Sequence, residues 1–475
     1  MLFTSLTFVV FFTIVYGAYM AARRYGSLAI QNLVLAVASL VFYGWWDYRY
    51  TSLLLFSCGI NYLAALKIDQ SPMQSSRRAW LAIGVTIQLL ILAVFKYLPF
   101  TTQNVNACLA FMGAQARLPL VEMTLPVGIS FYTFQAIGYT IDVYRRASPV
   151  CRSMVDFTLF VSFFPQLVAG PIETSRNLLA QVERPREITP ERLQRGLYWV
   201  LIGLYQKVVI ADTLAPMVEY GFDHVDRVSG ISSLLALVAF SLQIYGDFAG
   251  YTSIARGLGE WMGFSLIANF RRPYLADSPR DFWRRWHISL SQWLRDYLYI
   301  SLGGNRKGST RTLFNLMATM VLGGLWHGAA WNFIIWGAYH GALLCLNHML
   351  VGASGPAREV SKPALLPWIA RVCGMYVLTL LGWLLFRVRD MQQAYEIFCN
   401  ICTNFVIAED VSMFAVPVLA IGGTMLAFQC VQESSGDELM VLKWPVVARW
   451  TLYSFIVITV CIVGFSATPF IYFQF

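Results

Sequence analysis

Runs of about twenty mostly apolar residues recur from one end of the chain to the other, and nothing else in the sequence restricts the fold as much. A helix rising about 1.5 Å per residue needs about 20 residues to cross the ~30 Å hydrocarbon layer of a bilayer. Such runs lie near residues 2–22, 28–46, 51–66, 79–98, 125–144, 197–214 and 231–252. After a polar middle they resume near 312–328, 330–349, 364–386, 408–429 and 447–469. The 475 residues are 57% hydrophobic and only 13% charged. Soluble domains carry about 25% charge, so too few polar groups are available to cover a water-exposed surface. The same composition excludes disorder. The sequence therefore predicts an all-α, polytopic integral membrane protein of about twelve spans, with 15 Trp and 24 Tyr to place at bilayer interfaces.

The first run has no basic residue ahead of it and is followed by Arg23-Arg24. That is the reverse of signal-peptide polarity, so it reads as a retained first span. The basic clusters Arg23/Arg24, Lys67/Arg77/Arg78, Arg145/Arg146/Arg152 and Arg184/Arg186/Arg192/Arg195 all fall inside when both termini lie outside, and the acidic stretch 215–230 falls outside. Arg387 and Arg389 land on the outer side and fit this scheme poorly. Residues 155–172 close on Phe164-Pro165 and Gly170-Pro171. They read as a re-entrant or broken segment, tolerable only where protein buries the backbone. The net charge of +9 suits loops beside an anionic leaflet and gives no reason to expect a nucleic-acid partner. Cys399-x-x-Cys402 lacks a second pair or nearby histidines, so neither a metal site nor a disulfide framework is expected. No internal repeat is visible, although many transporter folds are built from one.

Two places carry candidate chemistry. Residues 271–311 hold nine Lys or Arg against three Asp, which is +6 of the chain's +9. Phe282, Trp283, Trp286, Ile288, Leu290, Trp293, Leu294, Tyr297 and Leu298 recur there at roughly helical spacing, which predicts an amphipathic helix at the membrane interface. An ordinary topogenic juxtamembrane segment is the plainer reading. Against it stand His287, set among arginines and tryptophans, and the basic Gly303-Gly304-Asn305-Arg306-Lys307-Gly308, which offers charge and backbone donors to a phosphorylated ligand. The second place is Gly323-Gly324-Leu325-Trp326-His327-Gly328. An ionisable residue inside an apolar run is costly and often functional, with a hydrogen-bonded structural histidine as the alternative. His340 reads as structural, and His348 and His224 as interfacial or loop residues. A neutral imidazole is a natural general base for a hydroxyl attacking an activated acyl group. No Gly-x-Ser-x-Gly elbow accompanies these histidines, which leaves little support for a serine hydrolase.

Several motifs together resemble the membrane-bound O-acyltransferase family. They are Pro126-Val127-Gly128-Ile129-Ser130-Phe131-Tyr132-Thr133-Phe134-Gln135, Asp142-Val143-Tyr144-Arg145, Phe164 to Ile172, Tyr245-Gly246-Asp247-Phe248-Ala249-Gly250-Tyr251, Arg280 to His287, and Trp326-His327-Gly328. The branch they resemble is bacterial and includes alginate and peptidoglycan O-acetylation proteins and the teichoic-acid D-alanylation membrane subunit. The resemblance implies one membrane-embedded domain over 1–475, a ring of helices around a cytoplasmic funnel, with His327 as the catalytic histidine. It implies His287 as a second motif histidine that polarises the acyl carbonyl or orders the tunnel. Coenzyme A phosphates would then meet Arg284, Arg285, Arg306 or Lys307. The donor is acetyl-CoA, taken as a substrate, with no permanently bound cofactor and no metal.

The leading expectation is an acetyltransferase of the bacterial inner membrane that passes acetyl from cytosolic acetyl-CoA outward for O-acetylation of a polysaccharide (alginate, peptidoglycan, cellulose or another exopolysaccharide). D-alanyl from a carrier protein is a second donor consistent with the resemblance. A flippase for a lipid-linked glycan and a non-catalytic export scaffold are the competing classes. The run Phe470-Ile471-Tyr472-Phe473-Gln474-Phe475 follows a last span that has no charged residue after Arg449. On composition it is an aromatic belt. By resemblance, Tyr472 is an acyl carrier that attacks the thioester with help from His327 and hands acetyl to a periplasmic SGNH-hydrolase-like acetyltransferase.

Overall fold

Short polar residues start the helices where the apolar runs begin. The hydroxyls of Ser5, Ser27 and Ser153 accept the N–H of the residue three positions on, satisfying donors that a helix start leaves open. The computed structural model describes residues 1–120, 123–351, 365–407, 410–464 and 470–471. Among these residues the regular elements are helical and no strand occurs. Packing divides the chain into two compact units, residues 1–192 with 258–267, and residues 193–257 with 268–475.

In the first unit, α1 (Leu6–Tyr25), α2 (Leu28–Gly44), α3 (Arg49–Gln70) and α4 (Gln74–Leu92) follow one another, and α4 continues through a wide turn at Ala93–Tyr97 into α5 (Leu98–Phe111). α6 (Ile129–Tyr144) is buried along almost its whole length. Polar side chains tie these helices together. Ser57 donates to Gln88 at 2.9 Å and Thr140 donates to Asn61 at 2.8 Å, the kind of interhelical bond that a membrane interior leaves for protein to make. α7 (Met154–Ser162) stops where the chain reaches Phe163-Phe164-Pro165, and every residue from 163 to 173 is buried. The Phe160 carbonyl accepts from Gln135 at 2.6 Å and Gln166 at 2.9 Å, and Phe164 N–H donates to Ser39 at 3.1 Å. The expected broken segment is thus satisfied from within the protein. The short α8 (Ala180–Val182) follows.

The second unit holds most of α9 (Pro190–Leu204), which widens at Tyr205–Asp212 and continues as α10 (Thr213–Asp223), and most of α11 (Gly230–Trp261). Two short helices, α12 (Pro279–Arg285) and α13 (Ile288–Trp293), precede α14 (Ser309–His327) and α15 (Trp331–Val351), which form a hairpin across three residues. α16 (Leu365–Arg387), α17 (Met391–Thr403), α18 (Asp410–Ser435) and α19 (Val446–Val463) complete it. Outward apolar residues such as Leu419, Val447 and Ile462 are at least 70% exposed, as lipid-facing side chains are. Arg387, the misfit of the charge pattern, lies over the Phe222 ring at 5.5 Å, in the field of Asp223 and Glu219. These two carboxylates of α10 therefore supply its counter-charge.

Each of the twelve expected runs coincides with a helix. Among the described residues, nine helices are long and apolar enough to cross a membrane. The other three runs are α2 with 17 residues, α6 with 16, and α14 with 19, the last carrying Arg311 and Asn315 near its start. The predicted amphipathic helix over 282–298 is not continuous. It breaks at His287, which adopts φ 43°, ψ 55° between α12 and α13.

Close helix contact fixes one position tightly. A Cβ on Gly203 of α9 would stand 2.6 Å from the Gly250 carbonyl oxygen of α11, nearer than packed atoms approach. Gly203→Ala is therefore expected to lower the thermal midpoint of the purified protein. Gly423→Ala in α18, where nothing lies within 4 Å, should hold or raise it by the ~1 kcal/mol that alanine gains over glycine in a helix. Equal midpoints for the two variants would contradict this packing.

Candidate active site

The break between α12 and α13 is built by the strand of chain that runs beside it. Ser278 caps α12 through the N–H of Asp281, and the helix ends at Arg285. Arg271 N–H then donates to the Arg285 carbonyl at 2.9 Å, and Ile288 N–H donates to the Asn269 carbonyl at 2.9 Å. The Asn269 side chain completes the bracket. Its Oδ1 accepts the backbone N–H of Ser289 at 3.2 Å and the hydroxyl of Ser289 at 3.0 Å, and lies 3.2 Å from His287 Nδ1. A backbone N–H is an obligate donor, so the amide atom it meets is oxygen, and His287 must donate to that oxygen from Nδ1. The neutral ring then carries its lone pair on Nε2. His287 is fully buried, and burial pushes its pKa down from the usual 6.5 to about 3, because the low-dielectric surroundings disfavour the cation. A neutral His287 in this tautomer accepts a hydrogen bond at Nε2 and cannot donate one to a carbonyl there.

His327 ends α14, and its neighbour Gly328 permits the turn into α15: a Cβ there would stand 2.1 Å from the Phe333 ring. The His327 ring meets Trp326 and Trp336 at 5.0 Å each and Phe386 at 5.4 Å, all nearly edge-to-face. His287 lies 6.3 Å away, centroid to centroid, and itself stands edge-on to Phe248 of α11 at 4.7 Å. Two imidazoles separated by 40 positions in sequence thus share one aromatic enclosure drawn from α11, α14, α15, α16 and the helix break.

A cavity of about 390 Å³ adjoins this enclosure, lined in part by Arg280, Trp283, Arg284, Arg295, Tyr299 and His348. Trp283 packs against Trp336 at 5.7 Å, so two tryptophans, Trp283 and Trp336, stand between the cavity and His327. Among the described residues neither Arg280 nor Arg284 pairs with a carboxylate, while Arg295 pairs with Asp296 at 2.7 Å. A second cavity of about 220 Å³, lined by Asn269, Tyr245, Gln206, Ser253, Arg256 and Gln429 among others, reaches the back of His287 through Asn269.

The expected site residues divide accordingly. His327 and His287 come together, and Arg284 faces the basic cavity. Arg285 does not reach it: Glu433 takes its guanidinium at 3.0 Å through both terminal nitrogens, and Asp281 takes Nε at 2.8 Å. Arg306 and Lys307 sit exposed on the turn after Gly303-Gly304, outside the cavity lining. Tyr472 lies outside the described residues. His340 is buried, stacked 6.0 Å from Phe282 and edge-to-face with Trp283 at 5.2 Å, a packing position. His348 lines the basic cavity, and His224 follows α10 against Tyr220. Asn269 and Phe386 were not singled out by the sequence, which has no local signal that separates them from ordinary core or loop residues. Among the described residues no three His, Cys, Asp or Glu side chains converge as metal ligands.

Two buried imidazoles thus lie near a basic cavity in a helical protein with nine candidate membrane spans among the described residues. The sequence profile of MBOAT, the membrane-bound O-acyltransferase family, matches residues 143–386, and the chain belongs to that family. It is 41% identical over 381 residues to a probable alginate O-acetylase of Azotobacter vinelandii, covering 80% of this chain and 73% of that protein. It is 35% identical over 392 residues to a peptidoglycan O-acetyltransferase of Helicobacter pylori, covering 77% and 72%. It is 29% identical over 237 residues to a teichoic acid D-alanyltransferase of Bacillus subtilis, covering 46% and 58%. The family makes the chain an acyltransferase rather than a flippase or a passive scaffold.

The Asn269 bracket has a measurable consequence. With its pKa near 3, His287 stays neutral across ordinary assay pH. Asn269→Asp keeps an acceptor for Nδ1–H and adds a negative charge, which favours imidazolium and raises the pKa of His287. The acid limb of the kcat/KM profile should therefore move to higher pH in Asn269→Asp, with activity recovering at alkaline pH. A profile superimposable on that of the unaltered protein would contradict the assigned tautomer.

Proposed function

We propose that this protein, acting as one membrane-embedded acyltransferase, takes acetyl from cytosolic acetyl-CoA and passes it across a bacterial inner membrane for O-acetylation of an extracytoplasmic polysaccharide. The observation that carries the reading is the meeting of His287 and His327, 6.3 Å apart, next to a cavity with arginines on its wall. The names of the alginate and peptidoglycan relatives support acetyl as the group and a polysaccharide as the final acceptor. Arg280 and Arg284 are placed to attract the phosphates of the donor, so the basic cavity is its entrance.

In this reading His327 takes the proton of the Tyr472 hydroxyl as the phenolic oxygen attacks the thioester carbon. The C–O bond forms, the C–S bond breaks, and the proton held on His327 passes to the departing coenzyme A sulfur. His287, presenting Nε2 as an acceptor, orders the attacking hydroxyl or its water rather than polarising the carbonyl. The aryl ester has a leaving group of pKa ~10 and stays reactive enough to be handed to a periplasmic SGNH-hydrolase-like acetyltransferase. This path answers a transport problem, because coenzyme A itself is too polar to cross the bilayer.

Coenzyme A release by the purified protein tests the reading. His327→Ala should abolish release above background while the protein stays folded, and Tyr472→Phe should abolish polysaccharide acetylation in cells. Near-normal release by His327→Ala removes it from the mechanism, and a fully active Tyr472→Phe protein points to a directly bound acceptor. Charge reversal at Arg280 and Arg284 should raise the KM for acetyl-CoA and weaken its salt dependence, since cation–phosphate attraction is screened within ~8–10 Å. The same reversal at Arg306 and Lys307 should change KM less. An unchanged KM at Arg280 and Arg284 would leave the block a topogenic segment only.

A further inference from the structure

The mechanism above uses no carboxylate, yet α9–α10 and α11 bury a cluster of three charged groups in helices long enough to span a membrane. Lys207 Nζ lies 2.7 Å from Asp212 Oδ1 and 2.8 Å from Asp247 Oδ1. Lys207 and Asp247 are both less than a tenth exposed. Burying charges costs several kcal/mol each unless partners compensate, and here one ammonium faces two carboxylates. The remaining compensation comes from the backbone of a distant segment. Asp247 Oδ2 accepts the N–H of Ile471 at 2.6 Å.

The residues on either side of this bond are held as well. The Phe470 ring packs on Phe248 at 5.7 Å and on Tyr251 at 5.3 Å, and Ile471 is buried in the same apolar cluster as Tyr245, Phe282 and Trp286. Asp247, Phe248 and Tyr251 lie at i, i+1 and i+4 on α11. One helix surface therefore presents an acceptor for a main-chain N–H and two rings for the side chain before it. Phe248 is also the ring that stands edge-on to His287 at 4.7 Å. The bound segment is one aromatic ring from the catalytic histidines, and the residue after Ile471 is Tyr472.

We propose that Lys207, Asp212, Asp247, Phe248 and Tyr251 form a docking site for the segment 470–471, and that Asp247 and Lys207 are positioning residues for acyl transfer to Tyr472, the next residue in the sequence. This rests on the reading of Tyr472 as the acyl acceptor. The anchor is a carboxylate oxygen on a main-chain N–H, so it holds the backbone at Ile471 whatever the side chain there. Lys207 neutralises Asp247 and aims its second oxygen, and Asp212 holds Lys207 in turn. A hydroxyl misplaced by about 1 Å can lose on the order of 10²-fold in rate, which is what such an anchor prevents.

Ile471→Pro tests the site while leaving all three charged side chains in place, because proline removes only the N–H that Asp247 accepts. It should lower kcat for acetyl transfer to Tyr472 by tenfold or more on the order expected for misplacement, with KM for acetyl-CoA unchanged. Ile471→Leu, which keeps the N–H, should stay near the unaltered rate. Hydrogen exchange of the peptide containing residue 471 supplies a readout that does not depend on chemistry. Its Ile471 amide should be protected in the unaltered protein and should exchange faster in Asp247→Leu. Equal kcat for the proline and leucine variants, or equal exchange with and without the Asp247 carboxylate, overturns the docking site. If the amide is protected in an Asp247-dependent manner but Tyr472→Phe remains fully active, docking stands and the carrier reading alone fails.

Discussion

Arg271 and Asn269 hold the chain on the two sides of a helix break, and the arrangement of the site depends on that hold. A left-handed conformation at a non-glycine residue costs about 1–2 kcal/mol, and His287 is one of three such non-glycine positions among the described residues. Asn269 returns a carbonyl acceptor for Ile288 and a side-chain oxygen for His287 and Ser289. At about 1 kcal/mol net for each hydrogen bond, the bracket offsets the strain. At this break Trp286 and His287 are fully buried on successive residues. Trp286 packs on Trp383 at 4.7 Å, and His287 meets Phe248 and His327.

A second feature is how deeply the two imidazoles are buried. His327 is walled by Trp326, Trp336 and Phe386, and His287 by Phe248, so imidazole bases stand among rings rather than among charges. The charges are kept apart from them. Arg285 is spent on Glu433 and Asp281, and Lys207 on Asp212 and Asp247. Arg280 and Arg284 remain at the cavity wall. This division of labour fits acyl transfer from a phosphorylated donor, with attraction at the entrance and a dry, uncharged enclosure where a thioester is protected from hydrolysis.

Much of this was legible in the sequence, and the rest follows from physical causes that leave no local mark. Twenty-residue apolar runs located every long helix, since length and hydropathy are what a bilayer selects. The prolines and glycine of 163–171 marked a break that the structure fills with side-chain bonds. Glycines and an intramembrane histidine marked His327. The break at His287 was not visible, because the apolar spacing of Phe282 to Leu298 is compatible with a continuous helix and its interruption is imposed by Asn269. Arg285 and Arg284 are neighbours of identical type; Asp281, four positions before Arg285, is a local mark of its pairing, and Glu433 is a tertiary one that leaves none. Lys207 and Asp212 lay within an expected span, and ionisable residues there signal function by default. Their partner Asp247 sits 35 positions beyond Asp212, and no spacing rule connects them.

The central claim is that the two histidines drive acetyl onto the chain itself before it leaves the membrane. Mass spectrometry of the peptide carrying Tyr472, taken from purified protein incubated with acetyl-CoA and no downstream acceptor, tests it most directly. The account predicts a mass increase of one acetyl group on that peptide, located to Tyr472, removed by hydroxylamine and absent from His327→Ala. Coenzyme A released in full while the Tyr472 peptide stays unmodified would contradict it.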